Sequence, residues 1–168
     1  MTEIETYLQE FVAEAATTRK MLALVPTDKL EWQPHPKSMT IKSLASHVAD
    51  IASWVKFAII SDVIDIANPE FATPKMSSSN EILTYFEKCQ AESEIVLKNA
   101  DEQTLGNSWQ LTYGEQIIMD ITKAGCIRHA ISQTIHHRAQ LGVYLRLLDI
   151  PIPGSYGPSA DEMDGTFK

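Results

Sequence analysis

One apolar stripe constrains this chain more than any other feature. Between about Asp120 and Leu148, the residues Ile127, Ala130, Thr134, His137, Leu141, Tyr144 and Leu148 recur at alternating steps of three and four. That is the period of a helix face packed on a core. His137 sits in the middle of the stripe, Gln133 lies one turn before it, and His129 extends the row another turn back. An imidazole facing a core needs a partner, because an unpaired buried polar group is costly. Two roles are open to it, a hydrogen-bonded core or pocket histidine and a metal ligand. The row is polar over two turns, so any chemistry of the chain belongs here. Arg128, Ser132, Arg138 and Arg146 give the same helix a mixed solvent side. Arg138 points roughly 100° away from His137 and is expected to meet a carboxylate in a structural ion pair or a dimer contact.

The rest of the composition narrows the class. A chain of 168 residues, 44% apolar and 21% charged, suits one soluble domain with a full core. Its net charge of −8, with no Lys/Arg cluster on any helix, speaks against nucleic acid and against anionic membranes as partners. No run of about 18 apolar residues is present, so no membrane span is expected. The start, Met1-Thr2-Glu3-Ile4-Glu5, lacks the basic-then-apolar order of a signal peptide, which makes the cytoplasm the expected location. Cys89 and Cys126 fall in separate helical segments and read as two inert buried thiols.

Taken in order, the chain predicts four helices. Thr2-x-x-Glu5 is a capping box that opens the first, which runs to about Leu24. Pro26, Pro34 and Pro36 make the next stretch irregular, with Trp32 as a plug over one end of the core. Thr40 caps a second helix, whose stripe runs from Ile41 through Leu44, Val48, Ile51 and Val55 to Ala58. His47 lies beside that stripe, either filling space at the boundary or arriving as a ligand from a second helix. Asp62 to Ser79 is a long loop that holds a short helical turn or covers a pocket. Ser78-x-x-Glu81 opens the third helix. Trp109 to Tyr113 is briefly extended before Gly114, and the fourth helix follows from about Asp120 until Pro151 and Pro153. The tail from Gly154 to Lys168 is expected to be ordered only near its start. An all-α four-helix bundle, one domain over residues 1–168, follows.

A resemblance adds to this reading. Trp32-x-Pro34-His35-Pro36-Lys37-Ser38-Met39-Thr40, His47, His136-His137-Arg138-Ala139-Gln140-Leu141-x-x-Tyr144-Leu145-Arg146 and Pro153-x-x-Tyr156-Gly157-Pro158-Ser159-Ala160-Asp161-Glu162 occur in that order. Together they resemble the DinB-like (YfiT-type) metalloenzyme family over nearly the whole chain. The resemblance implies an up-down-down-up bundle, a homodimer, and nickel or zinc on three histidines, one on the second helix and two on the fourth. Carried over, the metal ligands are His47, Gln133 and His137, with a glutamine where the family has its third histidine. An amide oxygen is a weaker donor to these ions than imidazole, so the metal is expected to be held weakly or not at all. His129, about 12 Å along the helix axis from His137, is too far to replace it, and His136 points off the face. The resemblance implies metal-dependent transfer with a low-molecular-weight thiol or another small-molecule substrate. The alternatives are a metal-dependent hydrolase and a non-metal ligand-binding or dimerising protein.

Overall fold

A computed structural model describes residues 1–167. Its four long helices are α1 (Glu3–Leu22), α2 (Ile41–Ile60), α3 (Ser79–Lys98) and α4 (Lys123–Leu147). Local signals set their starts. Thr2 and Glu5 form a reciprocal capping box, and Thr40 Oγ1 accepts from the Ser43 N–H at 3.1 Å. Ser78 Oγ accepts from the Glu81 N–H, while the Glu81 carboxylate reaches one residue further back, to the Ser77 N–H. α1 and α2 each pack chiefly against α3 and α4, so they occupy opposite corners of the helical layer.

α2 is the spine of the core. Ile41, Leu44, Ala45, Val48, Ala49, Ile51, Ala52, Val55 and Ala58 are all buried on it. Its alanines and Ser53 leave room for α3 and α4 to approach closely. Among the described residues it alone is long and apolar enough to cross a membrane, with mean hydropathy 1.2. Half of that stretch is covered by the rest of the fold. The buried Ser93 hydroxyl donates to Ala52 O at 2.6 Å and accepts from the Lys56 N–H at 3.2 Å, which pins α3 to α2.

The chain is not all-α. Three strands, β1 (Val63–Asp65), β2 (Ser108–Tyr113) and β3 (Gln116–Thr122), form one mixed sheet in that order, β1 parallel and β3 antiparallel to β2. Trp109 and Leu111 alternate inward on β2 and bury with Ile64 of β1. The β2–β3 turn passes through Gly114 at φ 57°, a conformation that favours glycine. β3 overturns the expected helix start near Asp120. Asp120, Ile121 and Thr122 pair with β2 instead, and the helix begins at Lys123. Thr122 caps α4 through the Gly125 N–H. Lys123 is buried and donates to the carbonyls of Ile59 and Ser61 at the end of α2, with Asp62 at 2.8 Å. The long loop holds a 3-10 turn at Pro69–Phe71.

The buried stripe of α4 is also rotated from the expected one. Ile127, Ile131, Thr134, Arg138, Leu141 and Leu145 line the core, so Arg138 lies inside and His137 at the margin. Arg138 Nη1 donates to Glu14 O and Thr18 Oγ1, both at 3.1 Å, and lies 2.6 Å from Glu14 Oε2. Nη2 donates to Tyr156 Oη at 3.1 Å, and Tyr156 Oη donates to Glu14 Oε1 at 2.8 Å. Burial and the Glu14 carboxylate together raise the Tyr156 phenol above its ordinary pKa. The tail is therefore fastened well beyond its start. Arg146 pairs with Asp161, and α5 (Ala160–Met163) begins in a capping box of Ser159 and Glu162. A side chain at Gly154 would collide with the Gly157 carbonyl.

Arg138→Ala leaves the Glu14 carboxylate buried without its cation, and should cost about 3–5 kcal/mol of unfolding free energy. Urea denaturation of the variant and the parent measures it. A loss below ~1 kcal/mol, the range of a surface pair, would show that the tail and α1 do not depend on this ion pair.

Candidate functional site

With Arg138 turned inward, the residue before it is carried roughly 100° round α4, to the side that faces α2. There the His137 ring meets the His47 ring edge to face, with centroids 4.7 Å apart and planes at 72°. His47, Ile51 and Trp54 from α2 and His129, Gln133 and His137 from α4 line one cavity of about 290 Å³. Both helices supply a residue per turn, so the cavity is a seam between them. His129 stacks at its far end on Trp54, with ring centroids 6.2 Å apart and planes at 30°. His136 is exposed on the outer face.

The protonation pattern follows from the surroundings. The His137 Nδ1 lies 2.8 Å from Gln140 Oε1. An amide oxygen only accepts, so Nδ1 carries the proton and the lone pair of the neutral ring sits on Nε2. Burial, then the neighbouring His137, lower the His47 pKa below its ordinary value, and Asp50 opposes them. Burial alone lowers that of His129. Asp50 lies one turn after His47 and accepts from Tyr85 Oη at 2.7 Å. The Tyr85 phenol is held far above its ordinary pKa by burial and then by Asp50.

His47 and Trp54 also border a second, more enclosed chamber of about 260 Å³. Phe57, Ile64, Phe71, Trp109 and Leu111 wall it, with Thr73 at its rim. Residues of the long 62–78 loop thus cover a pocket, as its length suggests. β2, the stretch expected to be extended, contributes Trp109 and Leu111 to the opposite wall. Trp109 is 1% exposed and its Nε1–H has no acceptor among the described residues, a deficit of about 1–3 kcal/mol for a buried donor.

The donors in the first cavity set what it can hold. His47 and His137 are close enough for both rings to reach one ion, since metal–nitrogen bonds are about 2 Å. Gln133 offers the third donor in the same cavity, an amide oxygen. Among the described residues no group of three His, Cys, Asp or Glu is placed to bind a metal. Two imidazoles and an amide fit a divalent ion, less tightly than three imidazoles do.

Comparison with known proteins gives a consistent picture. The model of the DinB family matches residues 1–166. A DinB-like protein from Bacillus cereus ATCC 10987 superposes with TM-score 0.70 at 20% identity, covering 90% of this chain and 97% of that one. A DinB-like protein from Bacillus subtilis gives TM-score 0.65 at 17% identity, over 89% and 96%. A mycothiol-dependent maleylpyruvate isomerase gives 0.61 at 14% identity, over 84% of this chain and 63% of that one. No curated protein matches.

The depressed pKa values carry a sign. Metal-free folded protein binds fewer protons at His47 and His129 than the unfolded chain does, between their lowered values and about 6.5. Stability from these two groups is therefore full above pH ~6.5 and falls as pH drops through that window. NMR titration of the imidazoles in chelator should find both midpoints below 6.5, and urea unfolding should weaken from pH 7.5 to 5.5. Midpoints at or above 6.5 would mean that water reaches both rings freely.

Proposed function

Because the chain belongs to the DinB family, we propose that His47, Gln133 and His137 hold a divalent metal, nickel or zinc, in the seam between α2 and α4. The site would serve transfer reactions of a small molecule with a low-molecular-weight thiol. The convergence of the His47 and His137 rings at 4.7 Å carries this reading. A bound metal would supply Lewis acidity, lowering the pKa of a coordinated thiol or water. The protein's own residues prepare the place. Gln140 fixes the His137 tautomer that presents Nε2, the outer-shell role a partner of a ligating histidine has. Ile51 and Trp54 line the same cavity and limit water.

A thiol brought by the ligand suits the chain's own cysteines. Burial pushes the Cys126 thiol up to about 12 and raises that of Cys89, so neither supplies a thiolate near neutral pH. The likeness in fold to a mycothiol-dependent isomerase supports the same choice. Both cysteines are free, which agrees with a reducing cytoplasm. The up-down-down-up course belongs to this reading. Asp50–Tyr85 and Lys56–Glu92 support parallel α2 and α3, while Arg19–Glu87 with Thr27–Ser79 supports antiparallel α1 and α3. A homodimer is supported by Val143 and Leu147, exposed one turn apart on α4. Gln133 favours a second reading, a small-ligand-binding protein without metal, over the hydrolase.

Zinc titration calorimetry at fixed pH tests the site. Gln133→His should tighten binding at least about tenfold, because imidazole is the better donor, and His137→Ala should abolish it. Equal affinity for Gln133→His and the parent would mean that position 133 is not a ligand.

A further inference from the structure

His47 borders three spaces at once. Besides the seam with His137, it lines the enclosed aromatic chamber of about 260 Å³ and an open cleft of about 340 Å³. Thr73 lines both the chamber and the cleft, so the two meet beside the imidazole. Their chemistry is opposite. The chamber wall is Phe57, Ile64, Phe71, Trp109 and Leu111, and its volume exceeds the ~150 Å³ in which a dry apolar cavity binds benzene. The cleft carries Lys42 and Lys75 with the hydroxyls of Ser43 and Ser46.

The charges give the pair a direction. Lys75 pairs with no carboxylate among the described residues, and Lys42 has one partner, the exposed Glu31 at 3.3 Å. In the chamber the charged side chain is Asp50, whose carboxylate repels an anion and already accepts from Tyr85. An apolar group gains by leaving water for the chamber, whereas an anion gains only at the lysine end. We propose that this site takes a small amphipathic acid. Its ring-sized apolar body fills the aromatic chamber, its anionic oxygen group lies on Lys42 and Lys75, and its middle passes His47. The inference names a substrate class for the function proposed above, yet the binding itself requires no metal.

The test uses full-length protein in chelator and a phenylalkanoate series from 3-phenylpropionate to 6-phenylhexanoate, each beside its uncharged amide, by titration calorimetry. At least one acid should bind about tenfold or more tighter than its amide. Lys42→Gln with Lys75→Gln should bring that acid to the affinity of the amide and leave the amide unchanged. Filling the chamber by Ile64→Phe, or from its more exposed rim by Ile66→Phe, should weaken acid and amide together, with thermal melting showing that each variant folds. Equal binding of acid and amide, no binding of any acid at millimolar concentration, or an acid preference that survives both lysine changes would overturn the proposal. Acid binding that appears only with added zinc would also overturn it, because the anion would then sit on the metal, and would support the metal site instead. Should the parent protein bind the acid in chelator yet bind no zinc in a separate titration, the metal reading fails and this one stands.

Discussion

The buried guanidinium of Arg138 decides how α4 sits. It is 1% exposed, among the largest fully buried side chains, and its partners come from α1 and from the tail. A charge can be buried only where its hydrogen bonds and a counter-charge are supplied. Glu14, Thr18 and Tyr156 supply them at one place, so α4 has one rotation that satisfies Arg138. α1 and the C-terminal tail are thereby tied to the same point. Tyr156, though largely exposed, bridges the two charges, which makes the tail part of the core's electrostatics.

That rotation is what exposes the site. With 138 inward, 137 faces α2, and 133 and 129 follow on the same edge at successive turns. Were the expected stripe centred on His137, the imidazole would lie in packed core with no room for a ligand. The observed margin places it instead on a cavity wall, half-buried, against His47. The core ion pair and the candidate site are thus one decision about helix rotation, made on adjacent faces of α4.

Much of this was legible in the residues. Helix starts at Thr2, Thr40 and Ser78 follow from capping chemistry, which is local. The α2 stripe was readable because its apolar period has no charged member. The α4 stripe was misread by about one residue, because periodicity assigns arginine to solvent and cannot see Glu14 across the bundle. The helix start was placed at about Asp120, three residues early, because the contacts that pair residues 116–122 with β2 are tertiary. His47, Gln133 and His137 were nameable from spacing and resemblance. The aromatic chamber was not, since Phe57, Ile64, Phe71 and Trp109 come from four separate elements.

Gln133 bears on more than affinity for a metal. The histidine that the family resemblance implies at this position would put a third titratable ring beside two that already interact, for burial and then His137 lower the His47 pKa. Three such rings cannot all be charged in one half-buried cavity, and as neutral rings they present several lone pairs with few donors. Such a cluster is satisfied by a cation. A glutamine changes the balance, because its amide carries two N–H donors as well as an acceptor oxygen. It can therefore face neutral histidine lone pairs without an ion and without adding charge. Gln133 thus lets the cavity between α2 and α4 satisfy its polar groups without a further titratable ring, beside a His47 whose pKa burial already lowers.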